Sequence, residues 1–475
     1  MRGTQLHGDP MDILDTIVNR EITAIGNAPA LHIAHRWDLT LKANGVDIKP
    51  VYVKKVTNDR HYHKSYSEVL SITVGFIYGD YQYKILPYRD TLEATLMKVF
   101  LNNNANAEVD LGSDRKLVSY KVQLMDANSD AISGDNPLTV SKGMAAKSDV
   151  REVEIQLFTS TIDRIRKKSW GGTISNTDPL TSVAYLLLNY SKESSSESSS
   201  AVLGVDIDPS FQPSMREHLV LKPAKIVDLP MAIDKIVGGL HPAQMRFFLQ
   251  GQHWHIYPIY DHSRFSTAED VLTVIKIPKF RLPGIEKTFR MADGQVIVLS
   301  TNTAKHRDNS EAWQLNDGNG VRFVDSDHIM DGFAKVGDNK AVADAKDKVT
   351  EVVFKPREDE SDMVAVTPVI ITNNYNEEYA KLALKSGAYV QVIWEHANIN
   401  LLKPGMPVRY IFQDGEVTKE IYGTLNAVES LDYNTNNTIT NPRFVTMALL
   451  TIFVSNASPM KQAKSPVTST TVKTT

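Results

Sequence analysis

Two histidine pairs hold the clearest potential for metal chemistry in this chain. His253 and His255 lie two apart in QGQHWHIYPIYDHSRF, so a strand would aim both imidazoles at one face. His61 and His63 flank Tyr62, beside Asn58, Asp59 and Arg60, in a stretch expected to be a loop. Neither pair has a third ligand at the spacing of a known metal site. The plainer reading is that Trp254 and Tyr257 pack while the imidazoles hydrogen-bond or meet solvent. Asp126, Asn128 and Asp130 open like a calcium loop. Ala131 stands where that loop needs glycine and Pro137 where it needs an acid, so the stretch reads as a polar turn.

Other catalytic arrangements fail on similar grounds. The chain has no cysteine, which excludes disulfides, thiolate nucleophiles and cysteine-based zinc sites. It has no Gly-x-Ser-x-Gly elbow, Walker A loop or Gly-x-Gly-x-x-Gly fingerprint. Gly318-Asn319-Gly320 follows Asn316-Asp317 and precedes a strand, Val321 to Val324, so it is read as a hairpin or loop and not a phosphate cradle. With 56 acidic residues, carboxylate pairs are unavoidable and say nothing about glycoside chemistry. The expectation is a protein that is not an enzyme, with no catalytic residues, no cofactor and no metal.

The charged and aromatic residues have two readings each. Arg164, Arg166, Lys167 and Lys168, with Lys279, Arg281, Lys287 and Arg290, read first as a solvated face. The sharper reading is a positive surface lining a passage for nucleic acid or facing an acidic partner. Net charge is −4, which does not suit a tight duplex binder. Trp254, Trp313 and Trp394 could form a sugar-binding platform, but aromatic residues more often fill cores.

These residues must be held mostly by strands. At 475 residues and 42% hydrophobic content the chain can build roughly two to four domains. Trp37, Leu39 and Leu41 alternate with Asp38, Thr40 and Lys42, the period of a half-buried strand. Asn44-Gly45 marks a turn. Val51 and Val53 begin a second strand, and Val69 to Tyr78 forms a third. Gly79-Asp80 is expected to turn tightly so that Tyr81 to Leu86 pairs back as a hairpin. Thr91 to Phe100, Lys116 to Met125 and Val153 to Leu157 complete roughly seven strands, the spacing of an antiparallel barrel or sandwich.

Two helices follow. Asp178 and Pro179 form an N-cap and first turn for the stripe Leu180, Val183, Ala184, Leu187 and Leu188, ending near Tyr190. The second starts near Asp228 with Pro230 in its first turn. Its inner face is Leu229, Ile233, Ile236 and Val237, and Gly238-Gly239 ends it. Ser191 to Ser200 contains no apolar residue and reads as a solvated, flexible loop. A later β region carries turns at Pro404-Gly405 and Asp414-Gly415. In it Val408, Tyr410 and Phe412 share one face, with Arg409 and Ile411 opposite. Phe444 to Val454 returns as a buried strand, about half the length of roughly 20 residues that a membrane helix needs. The opening MRGTQLHGDPMDILDTIV lacks the apolar core of a signal peptide. From Ser458 on, the composition predicts a disordered tail. The expected division is an N-terminal segment 1–29, a β-barrel at 30–160, a mixed α/β region at 161–360, a second β-barrel at 361–455 and a tail at 456–475.

Three segments give the chain a family resemblance. They are VGFIYGDYQYKILPYRDTLEATL at 74–96, VEIQLFTSTIDRIRKKSWGGTISNTDPLTSVAYLL at 153–187, and the stretch from QGQHWHIYPIYDHSRF to LNDGNGVRF at 250–323. Together they resemble the baseplate or tail hub proteins of tailed bacteriophages. The resemblance implies a mainly β chain with α+β insertions and two antiparallel β-barrels like those of the tail-tube protein, which can be assembled from discontinuous segments. It implies a homotrimer whose six barrels form a pseudo-sixfold ring joining the sixfold tail tube to the threefold central spike. It also implies neighbouring baseplate proteins as partners and phage DNA passing through a channel without specific binding. The chain would be assembled in the host cytoplasm and reside in the virion, without stable membrane insertion. Two other readings share parts of this pattern: a carbohydrate-binding or cell-wall-degrading virion protein, and the hub of a bacterial contractile injection system.

Overall fold

Asn44 (φ 47°) and Gly45 (φ 81°) occupy the two left-handed positions of a tight hairpin turn, the conformation for which an Asn-Gly pair is favoured. This turn joins β1 (His35–Ala43) to β2 (Val46–Ile48) in the computed structural model of the chain. The structure describes residues 10–27, 34–101, 118–125, 150–192, 202–208, 216–237, 239–277, 288–292, 294–301, 305–308, 321–325, 350–354, 380, 383–384, 387–414, 417–436 and 442–455. The calcium-like stretch at 126–130, the Gly318 loop, Trp313 and the Ser458 tail lie outside the described residues.

The strands continue with β3 (Tyr52–His61), β4 (Val69–Ile77), β5 (Glu93–Phe100), β6 (Val118–Leu124) and β7 (Val150–Thr159). The middle of the chain supplies β8 (Ser169–Thr177), β9 (Gly204–Ile207), β10 (Arg216–Lys225), β11 (Met245–Gln250) and β12 (His253–Pro258). Then come β13 (Val271–Lys276), β14 (Phe289–Ala292), β15 (Gln295–Ser300), β16 (Lys305–Asp308), β17 (Val321–Asp325) and β18 (Thr350–Phe354). The last four are β19 (Gly387–Glu395), β20 (Pro407–Asp414), β21 (Val417–Asn434) and β22 (Phe444–Ser455). Four α-helices of six or more residues accompany them among the described residues: α1 (Pro10–Asn27), α2 (Ser160–Ile165), α3 (Pro179–Lys192) and α4 (Leu229–Ile236). The chain is thus mainly β with helical insertions.

Eight strands close on themselves in the order β21-β3-β4-β7-β6-β5-β1-β22, because β22 also pairs with β21. Every junction in this ring is antiparallel. Closure covers most of the ring's hydrogen-bonding edges, with β1 and β22 meeting at one pair among the described residues, His35 opposite Phe444. Alternation fills its interior: Leu39, Leu41, Ile72, Phe76, Leu96 and Ile155 are buried in one cluster. Each such side chain contributes about 1.5–3 kcal/mol by leaving water. An eight-stranded ring is just wide enough for side chains to fill it, so this one is packed and not a pore.

Six further strands extend the same sheet from the shared pair, while β8 with β10, β9 with β11 and β12, and β17 with β18 form small sheets of their own. The path β14-β15-β13-β20-β21 leaves one side, and β22-β19-β16 the other. Trp394, Val408, Tyr410, Leu450 and Ile452 are buried in this second body. Antiparallel pairing is not uniform here, since β13 runs parallel to both β15 and β20. Neither neighbour is joined to β13 by a hairpin turn, so nothing forces a reversal.

Two expectations are corrected. Tyr78 to Tyr88 does not pair back as a strand. It is helical, in consecutive pieces Tyr78–Asp80, Tyr81–Ile85 and Leu86–Tyr88. Tyr81 and Ile85 are buried four apart, and Lys84 pairs with Asp80 at 2.5 Å, both helical spacings. β4 takes β3 and β7 as partners instead. Ser191 is not in a solvated loop: it lies in the last turn of α3, fully buried, its hydroxyl accepting from Trp254 Nε1 at 3.0 Å. α3 itself starts where its cap predicts, with Asp178 Oδ1 accepting from the Thr181 N–H at 2.7 Å. Leu180, Val183 and Leu187 pack with Ile233 of α4 and with Trp254. Among the described residues no helix is long and apolar enough to cross a membrane.

Candidate functional site at the strand junction

The two strand bodies share β21 and β22, and that junction is where the fold concentrates its buried polar groups. β21 is 18 residues long. Its first half pairs with β20, from Val417 opposite Asp414 to Thr424 opposite Pro407. Its second half pairs with β3, from Ala427 opposite His61 to Tyr433 opposite Lys55. A bulge between Leu425 and Ala427 separates the halves, the kind of irregularity that bends a strand and re-aims its side chains. β22 pairs with β21 along its length and with β19 from Met447 to Ser455.

At one end of the closed ring, Asp432 of β21 gathers donors from three strands. His35 Nε2 lies 2.9 Å from Asp432 Oδ2 and Trp37 Nε1 donates to the same oxygen at 2.7 Å. Lys98 Nζ sits 3.9 Å from that oxygen and donates to Thr446 Oγ1 at 3.3 Å. The Lys98 ammonium also faces the Trp37 ring at 5.4 Å and the Phe100 ring at 5.7 Å. Burial alone would push the Asp432 carboxyl up. The charges of Lys98 and His35, with hydrogen bonds from His35 and Thr446, outweigh it and hold the group well below the usual carboxylate range. An ionised carboxylate only accepts, so His35 donates from Nε2.

On the far side, polar side chains bind the ring to the second body and the middle region. Arg60 donates to Glu68 at 3.0 Å and to the Ile399 carbonyl at 2.9 Å. Tyr257 donates to the Tyr62 carbonyl at 2.9 Å, and Gln250 to the Leu402 carbonyl at 2.6 Å. Arg264, 5% exposed, donates to the Gly405 carbonyl at 2.6 Å, to the Pro258 carbonyl at 3.1 Å and to Asp208. Gly405 has φ 62°, and a Cβ there would run into the Tyr257 ring.

The residues singled out from sequence do not converge. His253 and His255 share one face of β12, opposite buried Trp254 and Ile256. Burial pushes His255 down to about 4 despite Asp206, whose carboxylate is 3.3 Å away, so it is neutral at pH 7. His61 ends β3 rather than lying in a loop, 3.8 Å from Glu429. His63 donates to the Asn426 carbonyl at 3.1 Å, and burial lowers its pKa. The His61 and His63 rings meet edge to face at 6.1 Å. Among the described residues no three metal-ligating side chains cluster. Trp394 is buried like Trp254, its Nε1 donating to Thr288 at 3.1 Å, so neither presents a face to a sugar. Three of the basic residues are paired: Arg166 and Lys167 with Asp163 at 2.6 and 2.7 Å, and Arg290 with Glu21 of α1. Lys279, Arg281 and Lys287 lie outside the described residues.

No protein-family model matches the chain, and no curated protein matches it. Solved structures of similar overall course include a tail protein from Neisseria meningitidis MC58, at TM-score 0.45 and 10% identity, covering 88% of this chain and 96% of that one. A second is the 43 kDa tail protein of prophage MuSo2 from Shewanella oneidensis, at TM-score 0.44 and 10% identity, covering 87% and 96%. A third is the E. coli c3393 protein, a component of the type VI secretion system, at TM-score 0.40 and 7% identity, covering 88% and 77%.

Proposed function

We propose that this chain is a structural hub of a phage tail or baseplate, acting as a homotrimer that joins a sixfold tube to a threefold spike. The observation that carries the reading is the strand arrangement. One chain holds a closed eight-strand ring and a second strand body, welded through β21 and β22. Three copies would therefore present six strand bodies around an axis, which matches a sixfold partner on one side and a threefold partner on the other. The sequence resemblance in residues 74–96, 153–187 and 250–323 points the same way.

The packed ring interior bears on where a passage can lie. A filled barrel conducts nothing, so DNA must pass between several bodies and not through one. The walls of such a passage should be weakly attractive at most, in keeping with a net charge of −4. Neighbouring baseplate proteins and the tube and spike are the partners of this reading, and the virion its location. The working division into barrels near 30–160 and 361–455 belongs to the same proposal, with the ladders crossing between them. The role is architectural and asks no chemistry of the histidine pairs. Solution mass with imaging of the purified chain tests it: a threefold ring supports the hub, and a chain that never assembles sinks it.

A further inference from the structure

The closed ring has two unlike ends. The rest of the chain attaches where β3 finishes and β4 begins. There Ala427 pairs with His61 beside the bulge, Arg60 donates to the Ile399 carbonyl, and Ser67 bridges to Leu249. At the other end β3 starts, β4 finishes and β5 starts, and the helical segment Tyr78–Tyr88 crosses from β4 to β5. The inner side of that segment plugs the ring: Tyr81 and Ile85 are buried with Phe76 and Leu92 in the ring's core. Its outer side carries Tyr78, Tyr83 and Tyr88, spaced five apart and 48%, 76% and 39% exposed. The Leu86 N–H reaches back five residues to the Tyr81 carbonyl, a wide turn that keeps residues five apart nearer to one face than an α-helix does. Exposed Val51, Ile77 and Met125 stand at the neighbouring strand ends. The Val51 N–H donates to the Gly75 carbonyl at 2.8 Å, Ile77 pairs with Val150, and the Met125 N–H donates to the Glu154 carbonyl at 3.1 Å.

We propose that this capped ring end is the contact between copies of the chain, docking on a different surface of the next copy and so closing the trimer. The inference rests on the homotrimer of the hub reading and names its interface. At about 200 Å² per aromatic side chain, the three tyrosines alone leave roughly 300 Å² uncovered. With the aliphatic residues around them the patch matches the largest on a typical monomer, about 300–600 Å². It supplies over half of the about 800 Å² that one partner buries in a standard interface. Nearby charges are already paired within the chain: Lys84 with Asp80 at 2.5 Å, Lys121 with Glu93 at 2.6 Å and Lys54 with Glu152 at 2.7 Å. The occupant therefore brings no counter-charge, and a tyrosine-rich centre with settled charges beside it has the make-up of an interface core. Contact of this end with itself would close at two copies, whereas its contact with another surface repeats around a threefold axis.

Photo-crosslinking on the full-length chain tests it. With p-benzoylphenylalanine in place of Tyr83, adducts of two and three chains are expected, their crosslinked peptides lying outside residues 46–51 and 77–91. Crosslinks confined to one chain, such as to the segment 126–149 that joins β6 to β7 at this end, would overturn the proposal. So would crosslinks to 77–91 of another copy, the mark of a twofold contact. The double variant Tyr78→Ser with Tyr83→Ser gives a second reading. Both side chains are exposed, so its thermal midpoint should match the wild type, while the concentration at which three copies assemble rises about tenfold or more. A wild type of three-copy mass with a variant that assembles at the same concentration would sink this interface and leave the hub reading standing. A wild type that never assembles would sink both.

Discussion

Asp432 is the residue on which most of the junction's electrostatics turns, and nothing near it in sequence announces this. His35 lies 397 positions away, so no local spacing could have paired them. The histidines that do stand out by spacing, His253 with His255 and His61 with His63, have separate neighbours: Asp206 beside His255, Glu429 beside His61 and the Asn426 carbonyl beside His63. Because the folded-state carboxyl of Asp432 lies below its ordinary value, its contribution to stability is present above the unfolded pKa and is lost as pH falls through the folded one. The stability difference between wild type and Asp432→Asn should not fall from about pH 7 to about pH 5, where protonation of His35 beside the carboxylate only strengthens the pair, and should shrink below about pH 4. Urea unfolding across that range measures it, and a difference that already collapses between pH 7 and 5 contradicts the assignment. Arg264 is the second such residue. Arg264→Met would strip two carbonyls and Asp208 of their donor, and loss of one partner from a buried pair costs about 3–5 kcal/mol. A denaturant midpoint that moves by less than the equivalent of about 1 kcal/mol would show that Arg264 does not bind the middle region to the second body.

Elements with local signals were legible, and those defined by distant partners were not. The hairpin at Asn44-Gly45, the cap at Asp178 and the alternation of β1 and β5 all follow from short-range rules. The segment Tyr78 to Tyr88 misled because Gly79-Asp80 resembles a turn, while the spacing of Tyr81 and Ile85 that makes it helical is a weaker cue. Helix α1 lies within the N-terminal segment 1–29, for which no element is expected, although Leu14, Val18, Ile22 and Ile25 fall at helical intervals after Pro10. Its burial is on the outer face of the second body: Val18 and Ile25 pack on Ile275, Ile297 and Ile411. Ile411 faces away from Tyr410 on β20, and α1 covers it. Ile25→Ala should cost about 2–5 kcal/mol, read as a lower thermal midpoint, because Ile25 is 1% exposed. A change under about 0.5 kcal/mol would mean that α1 rests on the sheet without contributing to its stability.

At the scale of the molecule, one observation organises the rest: the strands that complete the first ring come from the far end of the chain. β21 and β22 close the ring begun by β1 to β7 and also start the second body. Composition could indicate β-rich bodies near both ends, but not that they share strands, because pairing across several hundred residues leaves no periodic trace. Sharing also explains why the junction is dense in buried polar groups. Two bodies that must keep a fixed angle need directional bonds, and apolar packing alone does not supply direction. A fixed angle between two strand bodies is the property a threefold-to-sixfold adaptor requires. The direct measurement is the solution mass of the purified chain together with electron imaging of the same sample, alone and mixed with tail-tube protein. The account predicts three times the chain mass and a threefold ring of six strand bodies around an open centre, formed alone or on the tube. A compact single copy in both samples would contradict it.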